Sequence, residues 1–338
     1  CRREPDQRSG SLGATHLQLR GAAVPLDSFD RDIDYLRISI MDRCNFRCTY
    51  CMPLEGLRFL PTEELLTAGE IRTVVQAAVD VGFKKFRLTG GEPTLRRDLV
   101  EIVEKIKGID GVRELAMTTN AVLLPDLAAP LVRAGLDRVN IHLDTLDPNR
   151  LRQVMRLADL DRIHAGIAAA EEHGLTPIKL NTVVVGGVNE TDVVDLARLT
   201  IERGWHVRFI ELMPLGGGEN AQYAKDHYVS NETVRRTLER SIGPLSKVGP
   251  SHRSDESLNY RFEGAEGVVG FINPVSKPFC GTCNRMRLSA DGRFLLCLLR
   301  EDERDVKGAL RGGGGIEAVR AVLRKAVGEK PVGHELAL

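Results

Sequence analysis

Short runs of alternating apolar and polar residues recur along the first two thirds of the chain. Stretches with apolar residues at three- and four-residue intervals separate them. The runs are "YLRISI" (35–40), "KKFRLTG" (84–90), "VRELAMTT" (112–119), "LDRVNIHLD" (136–144), "PIKLNTVVV" (177–185) and "WHVRFIEL" (205–212). Of the intervening stretches, "TEELLTAGEIRTVVQAAVDVG" has helical spacing and opens on Thr62 as N-cap, with Glu63 and Glu64 in the first turn. "TDVVDLARLTIERG" ends on Gly204, a C-cap signal. Six such alternations predict an α/β fold, a parallel sheet with helices outside, doubly wound or curled into a barrel.

The rhythm changes near residue 214. "PLGGGENAQ" is expected as a loop and "SNETVRRTLERS" as a short capped helix. Strand-like pieces follow at 258–263, 267–272, 284–289 and 293–299, and the Asp-Gly of "SADGR" suits a hairpin. "RGGGG" (311–315) breaks two final helices. The expected organisation is a flexible leader over 1–30, a barrel over 31–213 and a smaller α+β domain over 214–338 that closes it.

Composition adds little: 42% hydrophobic and 28% charged residues are ordinary for a globular chain. Acidic and basic residues balance at 47 each, so bulk charge points to neither nucleic acid nor membrane. No apolar run reaches membrane-spanning length. The chain opens on Cys1, before a polar stretch that reads as a leader. The thiol spacings suit metals better than disulfides, which places the chain in a reducing cytoplasm.

Six of the seven cysteines fall into two triplets, Cys44, Cys48, Cys51 (C-x3-C-x2-C) and Cys280, Cys283, Cys297 (C-x2-C-x13-C). The two C-x2-C pairs together could make a four-thiolate zinc centre, but this leaves Cys44 and Cys297 without a role. Three thiolates on a four-iron cubane leave one iron open to a small molecule. Three and three therefore suggests two [4Fe–4S] clusters, each with an open iron.

The first triplet, with Tyr50 before its last cysteine, resembles the radical S-adenosylmethionine (SAM) superfamily. "RLTGGEPTLRRD" (87–98) strengthens this: its Gly-Gly-Glu-Pro resembles the loop that holds the amino end of SAM, and glycines let backbone approach a ligand closely. Both elements follow strands, where barrel active sites form. Within the superfamily, "LRISIMDRCNFRCTYCMP", "KLNTVVVGGVN", "RFIELMP", "PFCGTCNRMRLSADG" and "GHEL" resemble the GTP 3′,8-cyclases of molybdenum-cofactor biosynthesis over about residues 33–336.

The basic residues carry weight without the family. Lys85, Arg87 and Thr89 share a face of one strand, Arg37 and Ser39 of another, and Arg285 and Arg287 of a third. Together with Arg208 they would be costly inside a barrel unless an anion filled it, and guanidinium forks match a triphosphate. The chain has no G-x4-G-K-[ST] loop, so a nucleotide would be held by side chains.

The resemblance implies a partial (βα)6 barrel of the radical SAM type. It assigns Cys44, Cys48 and Cys51 to the cluster that binds SAM, with Tyr50, Gly91, Thr118, His142, Lys179 and Met213 as further SAM contacts. Cys280, Cys283 and Cys297 hold the second cluster, and Arg37, Lys85, Arg87, Arg208, Arg285 and Arg287 surround GTP. The implied reaction takes the 3′ hydrogen of the GTP ribose by a SAM-derived radical and joins that carbon to C8 of guanine. Implied partners are an electron donor, the downstream cyclic pyranopterin monophosphate synthase and a second copy of the chain. Two departures stand out: His142 occupies a place where the family often has Ser, and "GHELAL" stands where family members usually end in Gly-Gly. The competing readings are a radical SAM enzyme acting on a peptide, and a non-catalytic zinc or cluster protein.

Overall fold

The computed structural model describes residues 24–53, 55, 57–215, 218–250 and 255–334. The leader's first 23 residues, Cys1 among them, and the last four of "GHELAL" lie outside the described residues. Strand and helix alternate through the first half: β1 (Tyr35–Ser39), α1 (Ala68–Val81), β2 (Lys85–Thr89), α2 (Leu99–Lys107), β3 (Glu114–Thr119) and α3 (Leu124–Arg133). Next come β4 (Arg138–His142), α4 (Pro148–Val154), α5 (Leu160–Glu172), β5 (Lys179–Val184), α6 (Val193–Glu202) and β6 (His206–Glu211). The remainder holds α7 (Gly218–Asp226), α8 (Asn231–Ser241), β7 (Leu245–Lys247), β8 (Ser257–Phe262), β9 (Val268–Ile272), β10 (Arg285–Leu288), β11 (Arg293–Leu295), β12 (Glu303–Asp305), α9 (Lys307–Arg311) and α10 (Gly315–Gly328).

β1 to β6 are parallel and neighbours in chain order, the result of repeated crossovers of one hand. The C-terminal segment joins this sheet instead of forming a separate layer. β9 pairs in parallel with β6, and β10 in parallel with β1. Each thereby satisfies the open backbone edge of a sheet that would otherwise expose two. Eight parallel strands result, and all eight contribute to the lining of one central cavity, so the sheet is curled into a barrel.

Alternation along these strands is inverted relative to a protein with a dry centre. Leu36, Ile38, Phe86, Leu88, Val139, Ile141, Val207 and Phe209 are fully buried under the helices, whereas polar residues point inward. Each such apolar side chain contributes about 1.5–3 kcal/mol on burial. α10 packs on α1, and Arg320 donates to Asp80 across that contact (2.9 Å).

Three local expectations change. The helix expected to begin at Thr62 begins at Ala68, because Thr67 and Glu70 form a complete capping box; Thr62–Glu64 is a separate 3-10 turn. Half of the loop expected over "PLGGGENAQ" is the start of α7, which is held by buried Ala224. Residues 24–30, assigned to the leader, are tied down in part: a bridge joins Leu26 to Asp32, and Asp27 and Arg31 are buried together. The Asp-Gly hairpin forms between β10 and β11, with Gly292 at φ 84°.

Candidate active site

The first cysteine triplet lies in the loop after β1. Cys48 O accepts from the N–H groups of Cys51 and Met52, both at 3.0 Å, which curls the loop. Thr49 N–H donates to Val154 O (2.9 Å) and Arg47 N–H to Met155 O (3.4 Å), fastening it to the end of α4. Burial raises the pKa of all three thiols. A bound cation would oppose this by favouring the thiolate form.

The Gly-Gly-Glu-Pro loop sits directly on the backbone leading into that triplet. Gly91 N–H donates to Met41 O and Glu92 N–H to Arg43 O, both at 2.7 Å. A Cβ on Gly90 would lie 2.4 Å from Met41 O, and one on Gly91 only 2.2 Å from Arg43 O. The glycines are thus required for backbone to meet backbone. Glu92, buried, accepts from Thr94 N–H (3.0 Å), Thr119 Oγ1 (2.7 Å) and Asn120 N–H (2.7 Å). It ties this loop to the end of β3.

Next to the first triplet, Tyr50 donates to Asp144 Oδ2 (2.6 Å), and His142 Nε2 lies 2.7 Å from the phenol oxygen and 3.0 Å from Asp144 Oδ2. Burial disfavours a charged imidazole, but the Asp144 carboxylate outweighs it and raises the His142 pKa. Asp144 in turn accepts from Val183 N–H (2.8 Å), so the three side chains are fixed to β5.

The second triplet lies at the edge of the same barrel. Cys280 and Cys283 occupy a 3-10 turn between β9 and β10, and Cys297 follows β11. Arg31 holds this turn: its guanidinium donates to Cys280 O (2.7 Å), Val332 O (3.0 Å) and Pro331 O (2.7 Å), with Asp27 as its buried partner. Gly333 packs against Cys280, a Cβ there coming within 3.4 Å of Sγ. At Cys283 burial is outweighed by the charges of Arg285 and Lys330, which bring its pKa down to about 7. Among the described residues no three of His, Cys, Asp and Glu converge closely enough to hold a single ion. A cubane asks for less, since each thiolate meets a different iron.

All three second-triplet cysteines line the central cavity, of about 260 Å³, together with Arg37, Arg87, Thr118, Asn140, Asn181, Arg208, Met213, Arg285, Arg287, Lys330 and His334. Five guanidiniums face one carboxylate, Glu256. Burial and the neighbouring Arg37 and Arg285 push Arg287 down to about 9, and burial with the surrounding arginines brings Arg208 to about 10. Arg37 Nε, Arg208 Nε, Arg285 Nη2 and Asn181 Oδ1 are buried with no partner among the described residues. A polar, anionic ligand fits this donor set, because it would satisfy these atoms and neutralise the cations.

A second cavity, of about 490 Å³, lies at the N-terminal ends of the strands, lined by Tyr35, Lys85, Glu114, Arg138, Lys179 and His206. Arg87, Arg208 and Glu256 border both cavities. Lys179, expected beside SAM, is here with Lys85, at the opposite end of the barrel from Gly91 and Met213. Burial and three arginines lower its pKa to about 8. Of the six basic residues expected around GTP, Arg37, Arg87, Arg208, Arg285 and Arg287 line the first cavity and Lys85 lines the second. Glu256, Lys330, Arg31 and the polar strand residues Asn140 and Asn181 escaped the sequence reading. A signal existed for Asn140: "RVNIHLD" alternates polar with apolar residues throughout, and Asn181 follows the polar-apolar start of "KLNTV".

Residues 38–200 match the Radical SAM superfamily and residues 205–336 match Molybdenum Cofactor Synthesis C. The solved structure of Streptococcus suis SuiB bound to S-adenosylmethionine shares the fold (TM-score 0.54, 17% identity, 80% of this chain and 62% of that one). SuiB bound to its precursor peptide SuiA gives 0.58 at 16% identity, over 90% of this chain and 67% of that one. Barrel, triplets and these matches define a radical SAM protein, with [4Fe–4S] clusters and SAM as its cofactors. Pelotomaculum thermopropionicum GTP 3′,8-cyclase is 45% identical over 92% of this chain and 95% of its own length. The Heliobacterium modesticaldum enzyme of that name is 44% identical over 92% and 94%. The chain belongs to the GTP 3′,8-cyclase family.

Proposed function

We propose that the protein converts GTP to 3′,8-cyclo-7,8-dihydro-GTP, the first step of molybdenum-cofactor biosynthesis. The observation that supports this most is the single cavity in which five guanidiniums meet the second cysteine triplet. In this reading Cys44, Cys48 and Cys51 hold one cluster and Cys280, Cys283 and Cys297 the other. When bound, the first cluster and SAM supply a hydrogen-abstracting radical.

The chain's own residues then do the positioning. Arg37, Arg87, Arg208, Arg285 and Arg287 bind the triphosphate, which extends towards Lys85 and Lys179 at the far end of the barrel. Thr118 fixes the Arg87 fork by accepting from it (3.3 Å). Gly91 and Met213 contact SAM at the near end, and Tyr50 does so held in place by His142 and Asp144. The barrel wall keeps water from the reacting atoms, and geometry selects the hydrogen removed. Residues 31–213 form the unit of the first six barrel strands, and 214–338 the unit that adds β9 and β10 and bears the second cluster. An electron donor, a pyranopterin synthase that takes the product, a homodimeric state and a cytoplasmic location belong to the same reading. Among the described residues no helix is long and apolar enough to cross a membrane.

The test is anaerobic reconstitution with iron and sulfide, then reductant, SAM and either GTP or a peptide. The proposal expects 5′-deoxyadenosine to rise with GTP only. A rise with peptide alone overturns it in favour of peptide chemistry.

A further inference from the structure

Among the described residues the cavity that is rich in guanidiniums carries a single carboxylate, and its placement is specific. Glu256 Oε2 accepts from Arg285 Nη1 at 2.6 Å, and Oε1 from Arg37 Nη2 at 3.3 Å. Its side chain is 14% exposed, and that of Arg285 6%. It sits where the two cavities adjoin, with Arg87 and Arg208 bordering the same space. Even so, Arg37, Arg208 and Arg285 each keep a buried nitrogen without a partner among the described residues.

Building on the nucleotide reading above, we propose that Glu256 is an internal counter-anion: it occupies the arginine fork of Arg37 and Arg285 until a substrate phosphate displaces it. Two anions cannot share one fork without strong repulsion, so phosphate and carboxylate compete for the same donors. The carboxylate holds the arginines in place while the site is empty, where unpaired buried cations would repel one another. It also raises the threshold for entry: a ligand with one phosphate gains little by displacing it, whereas a triphosphate gains bonds to Arg87 and Arg208 as well. Glu256 is thereby a specificity residue for the number of phosphates.

The test uses the reconstituted holoenzyme and the variants Glu256→Gln and Glu256→Ala, with binding of GTP, GMP, guanosine and inorganic tripolyphosphate measured anaerobically by calorimetry. The expected result is GTP and tripolyphosphate binding tighter by roughly tenfold or more in Glu256→Gln. GMP should gain by a larger factor, and guanosine should not change. The ligand-free variants should melt at lower temperature than the wild type, while their rise in Tm on adding GTP is larger. Unchanged or weaker GTP binding in both variants, with circular dichroism and iron content intact, overturns the counter-anion role. Failure of the wild type to bind either GTP or tripolyphosphate would instead count against the nucleotide reading itself.

Discussion

Gly91→Ala is expected to remove the first cluster and leave the second. The added methyl would sit 2.2 Å from the Arg43 carbonyl oxygen and 2.7 Å from that of Asp42. Non-bonded heavy atoms settle at about 3.5 Å, so the two backbones must part by roughly 1 Å. Neither partner is a flexible side-chain tip. The Gly91 side is pinned through Glu92 to β3, and the Arg43 side runs into Cys44. Overpacking of this kind costs about 1–3 kcal/mol, occasionally more. The strain falls on the bonds Gly91–Met41 and Glu92–Arg43, each worth about 1 kcal/mol. Local separation is therefore cheaper than global unfolding of a core this size. Iron should fall from about eight to about four per chain after reconstitution, and the change that SAM induces in the reduced cluster's electron paramagnetic resonance spectrum should vanish. Circular dichroism should stay within error of the parent. A variant that keeps full iron and the SAM-induced spectral change would refute the reasoning that backbone contact is what these glycines serve.

Arg31→Ala should have the mirror effect. It frees Cys280 and the 331–332 segment and leaves Asp27 buried without its partner, at a cost of about 3–5 kcal/mol; the second cluster's signal should be lost with SAM binding retained, and undiminished iron would contradict this. Lys179, brought to about 8 by burial and neighbouring arginines, should regain its charge when a polyanion binds, so GTP binding near pH 9 should take up a proton. Calorimetry in buffers of different ionisation enthalpy measures this uptake, and Lys179→Met should reduce it to the part that Arg287, brought to about 9, supplies. In the ligand-free protein the same depressed value means that the unfolded chain holds more protons, so stability should rise as pH climbs through 8. Glu70 is held at about 2, chiefly by hydrogen bonding to Arg311, so its contribution is complete above about 4.5 and is lost as pH falls towards 2. Arg311→Ala should flatten acid denaturation across that window by only about 0.5–1 kcal/mol, since the pair lies at the surface and is half-buried.

Much of this architecture was legible from alternation and spacing. The six parallel strands fall inside the runs read from the sequence, because a strand with polar residues inward and apolar residues outward still alternates with period two. The cysteine triplets and the guanidinium group were legible because their chemistry is costly anywhere but at a site. What stayed hidden depends on distance along the chain. That β9 and β10 complete the barrel edges follows from which backbone groups are left open, not from any local pattern. Arg31, the first residue assigned to the barrel, gave no local signal, since its partners Cys280, Pro331 and Val332 lie some 250 to 300 residues away. Glu256 carries no local signal, because its meaning comes entirely from arginines on other strands. Lys179 was misplaced for a simpler reason: it begins its strand, and a parallel barrel sends the first and last residues of each strand to opposite mouths.

The central claim is that the barrel holds the 3′ carbon of GTP nearest to the radical. GTP carrying deuterium at C3′ tests it most directly, by mass spectrometry of the 5′-deoxyadenosine formed in a single anaerobic turnover. The account predicts one deuterium transferred from the 3′-labelled nucleotide and none from GTP labelled at other ribose carbons. Unlabelled 5′-deoxyadenosine from the 3′-deuterated substrate would contradict it.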